Sequence, residues 1–333
     1  MHDNPDKKII DIHAHAFSFN RDVTGCYFAK KFQRSLSFNV IRRFYGIKKS
    51  DSPAKMDAKV DKHLSQLSNS LMHVDHVVLL AFDGVYGNDG RFDEGRTLFY
   101  VANDYVRDLA KNDSKFLYGA SVNPNRHDWA DELERVIKDG ASLIKWLPNT
   151  HGIYPEDKKH TDFYRLLARN KLPLLVHTGR EYALNSFDQS LGDFRKLELA
   201  LKEGVTVIAA HCGGLAIESP KYSYNTVLGY LKDYPNFYID TAAMFLLNKR
   251  LFFYRFAHQT DIHHKILFGS DWPVPSNPLF AAKKFKLADI IKSQTIKNSI
   301  ERNYFLTKKL NFSDEIFYTG YNLIKKDSKF ESL

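Results

Sequence analysis

The 333-residue chain has only two cysteines, Cys26 and Cys212. That excludes a disulfide framework, and Cys212 lies in a run that reads as a buried strand, so thiols are expected. No stretch approaches about 18 consecutive apolar residues, which leaves no candidate membrane span. The start, Met1-His2-Asp3-Asn4-Pro5-Asp6-Lys7-Lys8, lacks the apolar core of a signal peptide. A cytoplasmic, reducing compartment is therefore expected, with no membrane partner. A Pro/Gly/Ser-rich linker, a low-complexity segment and an internal repeat are also missing. Hydrophobic residues make up 44% and charged residues 26%, a balance that excludes a disordered chain or a coiled coil.

Acidic charge is in deficit, with 39 Asp and Glu against 48 Lys and Arg, a net +9. Much of the excess lies in residues 28–62. There Lys30, Lys31, Arg34, Arg42, Arg43, Lys48, Lys49, Lys55, Lys59 and Lys62 face only Asp51, Asp57 and Asp61. Such a stretch either meets an anionic surface or nucleic acid, or is a solvated helical excursion.

What the chain does have is rhythm. Near-continuous apolar runs recur at 9–16, 76–83, 116–123, 141–148, 172–179, 205–213, 237–243 and 265–273. Runs of this kind read as strands covered on both faces. Amphipathic stretches separate them, at 57–72, 96–111, 128–138, 162–169, 193–202, 224–232 and 249–258. Strand alternating with helix predicts parallel strands and crossover helices. Eight such units predict a (β/α)8 TIM barrel. A doubly wound open sheet is the competitor, but no Gly-x-Gly-x-x-Gly turn follows the first run. The extra length falls at 17–55, an aromatic and basic lid inserted after strand 1, and at 280–333, a helical C-terminal extension. One domain spanning 1–333 is expected.

In such a barrel the chemistry sits where strands end and loops begin. The first run ends in His13-Ala14-His15, the fifth in His177-Thr178-Gly179, the sixth in His211-Cys212-Gly213-Gly214 and the eighth in Gly269-Ser270-Asp271-Trp272-Pro273. Residues i and i+2 of a strand share a face, so His13 and His15 are expected to point together toward the barrel axis. His177 and Asp271 can complete a metal-ligand set of three imidazoles and one carboxylate. That set suits one Zn²⁺, and Mn²⁺ or Fe²⁺ also accept such donors. His211 reads as a group that orients or deprotonates solvent at the metal or polarises the substrate, as a further metal ligand, or as a packed histidine over the glycine turn.

Lys145 lies in the otherwise apolar Leu143-Ile144-Lys145-Trp146-Leu147-Pro148, and a buried ammonium needs a reason. Three are available: a substrate carboxylate, carbamylation to bridge a second metal, or pairing with a carboxylate such as Asp83. Arg180 and Glu181 follow His177 and are candidate substrate contacts, or an exposed loop ion pair. Trp272 is a candidate pocket wall or core residue, and His151 a candidate from the loop after strand 4.

These segments resemble the amidohydrolase superfamily, in its amidohydrolase-related branch that includes aminocarboxymuconate semialdehyde decarboxylase. The resemblance rests on Ile10-Asp11-Ile12-His13-Ala14-His15, Leu172-Pro173-Leu174-Leu175-Val176-His177-Thr178-Gly179, Ala210-His211-Cys212-Gly213-Gly214 and Leu267-Phe268-Gly269-Ser270-Asp271-Trp272-Pro273. It implies a barrel with one divalent metal on His13, His15, His177 and Asp271, and His211 acting beside it. The expected activity is hydrolysis of a small amide, lactone or ester by a metal-activated water, with Asp271 or His211 handling the proton. Non-oxidative decarboxylation of a small aromatic or muconate-type acid on the same scaffold is the alternative. The expected partner is a small-molecule substrate, a homodimer is left open, and nucleic acid is not expected. Metal-dependent deoxyribonucleases of the TatD type place a glutamate ligand at a middle strand end, and neither 116–123 nor 141–148 supplies one.

Overall fold

The computed structural model describes residues 7–182, 184, 186–215, 224–246, 249–274 and 284–324. The N-terminal six residues, and residues 280–283 and 325–333 of the expected tail, lie outside the described residues.

All eight runs form strands of one parallel sheet. They are β1 (Ile10–His15), β2 (His76–Leu80), β3 (Phe116–Ala120), β4 (Leu143–Trp146), β5 (Leu174–Val176), β6 (Val207–Ala209), β7 (Phe237–Asp240) and β8 (Ile266–Leu267). Neighbours in sequence are neighbours in the sheet. The last strand closes on the first, with Ile12 N donating to Phe268 O (3.1 Å), Asp271 N to His13 O (2.8 Å) and His15 N to Trp272 O (2.7 Å). The protein is a (β/α)8 barrel with further helices after β8.

Two apolar layers hold it together. Ile10, Ile12, Val78, Leu80, Leu117, Leu143, Leu175, Ile208 and Leu267 form the interior cluster, and larger side chains fill the space between strands and helices. The C-terminal helix Glu315–Ile324 adds Tyr321 and Ile324 to the interior cluster. Its Gly320 permits this approach, because a Cβ there would come within 2.8 Å of Ile12 Cγ2.

Strand β1 departs from regular alternation. Asp11 faces Val77 and Ala14 faces Leu79, so Ile12 and His13 together oppose Val78 across a bulge. A bulge re-aims the side chains that follow it. Here Ile12 joins the interior cluster while His13 and His15 line the cavity at the strand's end.

Two local expectations are corrected. The helix expected from residue 96 begins at Asn103, because Phe99–Tyr100 pairs antiparallel with Tyr27–Phe28. Aromatic residues favour this extended pairing over the first helical turn. The stretch expected as one helix from 193 starts as the 3₁₀ turn Phe194–Leu197 before the α-helix Glu198–Lys202. Segment 17–55 carries three short helices, Arg21–Thr24, Lys30–Gln33 and Leu36–Phe44. An aromatic knot anchors them: the Phe28 ring lies 4.8 Å from Phe19, 4.8 Å from Phe99 and 5.8 Å from Phe32.

Candidate active site

The C-terminal ends of the strands surround a cavity of about 440 Å³. Its floor carries His13, His15, Lys145, His177, Glu181, His211 and Asp271. Its walls are apolar, with Phe17, Phe28, Phe32, Phe44, Phe82 and Phe99 the aromatic part.

His13, His15 and Asp271 form a compact donor set, with one ligand atom from each lying within 4.8 Å of the others. His15 Nε2 is 3.1 Å and His13 Nε2 3.4 Å from Asp271 Oδ1. Asp240 holds His13 in place: His13 Nδ1 donates to Asp240 Oδ2 at 2.7 Å, which leaves a lone pair on Nε2 for a cation. Asp240 also accepts from the backbone N–H of His211 (2.6 Å) and Ala242 (3.1 Å). Burial pushes the Asp240 carboxyl up to about 6, against the pull of Lys145. An Asp240→Asn substitution is expected to weaken divalent-ion binding about 10- to 100-fold, read by metal titration of the chelated protein.

A second chain of contacts sets two more rings. The Ala242 carbonyl can only accept, so His211 Nδ1 carries the proton of that 3.2 Å bond. His211 Nε2 then accepts from His177 Nδ1 at 3.1 Å. The outcome is a lone pair on His177 Nε2, which is buried and has no hydrogen-bond partner. Burial, reinforced by Lys145 and Lys249, holds the His177 imidazole far below its ordinary range, so it is neutral as a metal donor must be. His177 nevertheless stands outside the compact set of three, tied to His211 and 3.6 Å from Glu181 Oε2. The two loops meet through glycine. Gly214 sits at φ +74°, and a Cβ there would come within 2.3 Å of Gly179 N.

Lys145 is buried in β4, with Nζ 3.0 Å from His13 Nε2. Burial lowers its ammonium to about 8, with Asp240 and Asp271 resisting the shift. Its positive charge rests where the donors converge, and the donor chemistry fits a divalent cation. The pairing with Asp83 does not occur. Asp83 is satisfied by the Tyr86 hydroxyl and the Gly84 and Asn123 N–H groups, each at 2.7 Å, with Arg126 at 3.6 Å.

Comparison with known proteins bears on the family and the fold. A family model described as Amidohydrolase matches residues 10–303. The chain belongs to the amidohydrolase family. No curated protein matches this amidohydrolase-family chain. Among solved structures it is similar to an uncharacterised TIM-barrel protein from Bordetella bronchiseptica, with 14% identity, TM-score 0.63, and 95% and 98% of the two chains covered. It is also similar to a proposed 2-pyrone-4,6-dicarboxylic acid hydrolase from Pseudomonas putida (14%, TM-score 0.54, 95% and 97% covered). A third is 2,6-dihydroxybenzoate decarboxylase from Rhizobium (13%, TM-score 0.52, 91% and 99% covered). At such identities the likeness speaks for the fold.

Three candidate substrate contacts lie outside the cavity lining, Trp272 as the core residue and Arg180 as the exposed loop residue of their other readings. Trp272 is buried behind the wall, edge-on to Phe44 and Tyr45 at 5.8 and 6.2 Å, and does not line the cavity. His151 is buried at the end of the turn Pro148–His151, where Nδ1 accepts from Leu147 N at 3.3 Å. Arg180 is exposed and outside the lining. Strand-end position alone does not say which way the next loop turns its side chains. Sequence reasoning missed Asp240, although a carboxylate closing the apolar run Phe237-Tyr238-Ile239 was the same signal that singled out Lys145. It also missed Lys249, whose ammonium acts on His177 and His211, is lowered by burial and is pulled back up by Asp271.

Proposed function

We propose that this protein is a metal-dependent hydrolase of an ester, lactone or amide with a largely apolar body. The observation that carries the reading is the compact His13, His15 and Asp271 donor set on the floor of an otherwise apolar cavity. These three residues, with His177 as a further donor, would hold a divalent cation, which would supply Lewis acidity to a carbonyl oxygen. Zn²⁺ suits this donor chemistry, and Mn²⁺ and Fe²⁺ accept it.

The chain's own groups then have separate tasks. Asp271 is the proton acceptor. Burial pushes its carboxyl up, but His13 and His15 outweigh burial and keep it below the usual carboxylate range, hence ionised. His211 is fixed as the Nδ1–H tautomer by Ala242 O and orients His177. Lys145 stabilises negative charge that develops at the floor. The phenylalanine walls exclude water from the remainder of the substrate.

A second reading, decarboxylation of an aromatic acid, is favoured by one feature. The Lys145 ammonium beside His13 offers a place for a substrate carboxylate. One experiment separates the two. The purified protein is stripped with a chelator, then reloaded with Zn²⁺, Mn²⁺ or Fe²⁺ and assayed on aryl and alkyl esters, lactones and amides. Activity is expected to vanish on stripping and return with one metal. Carbon dioxide release from an aromatic acid, with no hydrolysis under any metal, would move the assignment to decarboxylation.

A further inference from the structure

The helix Leu36–Phe44 separates two unlike surfaces. On one side Leu36, Val40, Ile41 and Phe44 line the mouth of the active-site cavity. On the other, Arg42 and Asn39 line a groove shared with Lys30, Arg34 and Lys49. The helix is held firmly. Ser35 caps its first turn through Phe38 N, and the buried Phe38 ring packs on Phe28 and Phe32 at 5.4 and 5.9 Å.

Two features of this segment face solvent. Leu36, Val40 and Phe44, spaced four apart on one helical stripe, are 81, 53 and 38% exposed. Within and beside this helix Lys30, Lys31, Arg34, Arg43, Lys48 and Lys49 are all exposed, with Lys30, Arg34 and Lys49 on its groove side. The nearby acids Asp51, Asp57 and Glu94 are engaged elsewhere. Asp51 holds Lys59 (2.6 Å) and Lys55 (3.5 Å), Asp57 accepts from Ser18 Oγ and Phe19 N, and Glu94 pairs with Arg21. A helix with an exposed apolar stripe on one side and exposed cations beside it and on the other is complementary to a surface that is apolar beneath and anionic above.

We propose that this face docks on an anionic lipid bilayer, with helix Leu36–Phe44 lying in the plane of the interface. The apolar stripe enters the boundary of the acyl chains, and the cations meet the headgroups. No helix among the described residues is long and apolar enough to cross a membrane, so the contact is peripheral. The lack of a span, on which the expectation of no membrane partner rested, does not bear on such a contact. The cavity mouth lies against the same helix, so an apolar substrate passes from bilayer to active site without crossing water. That last point rests on the proposed hydrolase reading, whereas docking does not.

The test is sedimentation of the full chain with vesicles of phosphatidylcholine alone, and of phosphatidylcholine mixed with phosphatidylserine. The expected result is binding to the phosphatidylserine vesicles that falls steeply as salt is raised. The triple variant Lys31→Glu/Arg34→Glu/Arg43→Glu is expected to weaken it about 100-fold or more. Leu36→Ser/Val40→Ser is expected to weaken it roughly tenfold. All five positions are exposed, so unchanged melting temperatures are expected to accompany both losses. Asp271→Ala is expected to bind vesicles like the parent, which keeps docking separable from catalysis. The proposal is overturned by absence of binding, by binding indifferent to the charge variant, by competition from duplex DNA at equal salt, or by a dimer in light scattering that Leu36→Ser/Val40→Ser abolishes.

Discussion

An Asp271→Asn variant is expected to lose about 10³-fold in kcat with its fold intact. Asparagine is the informative replacement because Asp271 sits at φ +62°, a backbone region that Asn tolerates better than most residues. It keeps the volume of the side chain and its contact with His15, and removes the negative charge that both His13 and His15 face. Neither Nε2 then has the Asp271 carboxylate beside it, although Asp240 stays on His13 Nδ1, and the site loses its proposed proton acceptor. Two readouts, bound metal and kcat, divide the causes. If bound metal persists while kcat falls, the carboxylate moves the proton. If metal and kcat fall together, it acts first as a ligand. Turnover within a few-fold of the parent, with metal retained, would sink both roles.

The largest expected loss of stability lies far from the chemistry. Glu301, buried in helix Ser299–Lys308, accepts from Met72 N (2.8 Å), His73 N (2.8 Å) and Val74 N (3.0 Å) with one oxygen. The other oxygen meets His73 Nδ1 at 2.8 Å. These bonds tie the helix after β8 to the turn that leads into β2. Glu301→Ala leaves three N–H groups without their acceptor and is expected to cost about 3 kcal/mol in denaturant unfolding. Burial alone would raise this carboxyl, but the N–H groups of Val74, His73 and Met72, with His73 itself, hold it below its ordinary value. The sign for pH follows. Stability from this group is fully present above the unfolded glutamate pKa of about 4.3 and is lost as pH falls through the lower folded value. Glu301→Gln is expected to flatten that acid limb. An unchanged acid transition would show that other carboxylates control it.

The barrel was legible because strands buried on both faces leave continuous apolar runs, and eight of them could be counted. Tyr27–Phe28 and Phe99–Tyr100 were not legible as partners, since each is too short for a periodic signal and they pair across some seventy residues. At the site, His13, His15, His177, His211 and Asp271 were readable as residue types at strand ends, and all five line one cavity. Their grouping was not readable. The link from Ala242 through His211 to His177 depends on a backbone carbonyl whose direction only the fold sets. Trp272 and His151 show the converse, since nearness in sequence to a site residue carried no information on which side of the wall each ring falls.

The bulge in β1 bears on how such a site can arise. On an evenly pleated ribbon, two successive side chains cannot both look inward, so Ile12 would have to give up the core or His13 the cavity. The added residue relieves that conflict and lets a single edge of the barrel serve packing and chemistry together. The position of the first imidazole is thus written in the count of residues before it as much as in their identity. Point substitution of a regular strand would not place it there, whereas a one-residue insertion would.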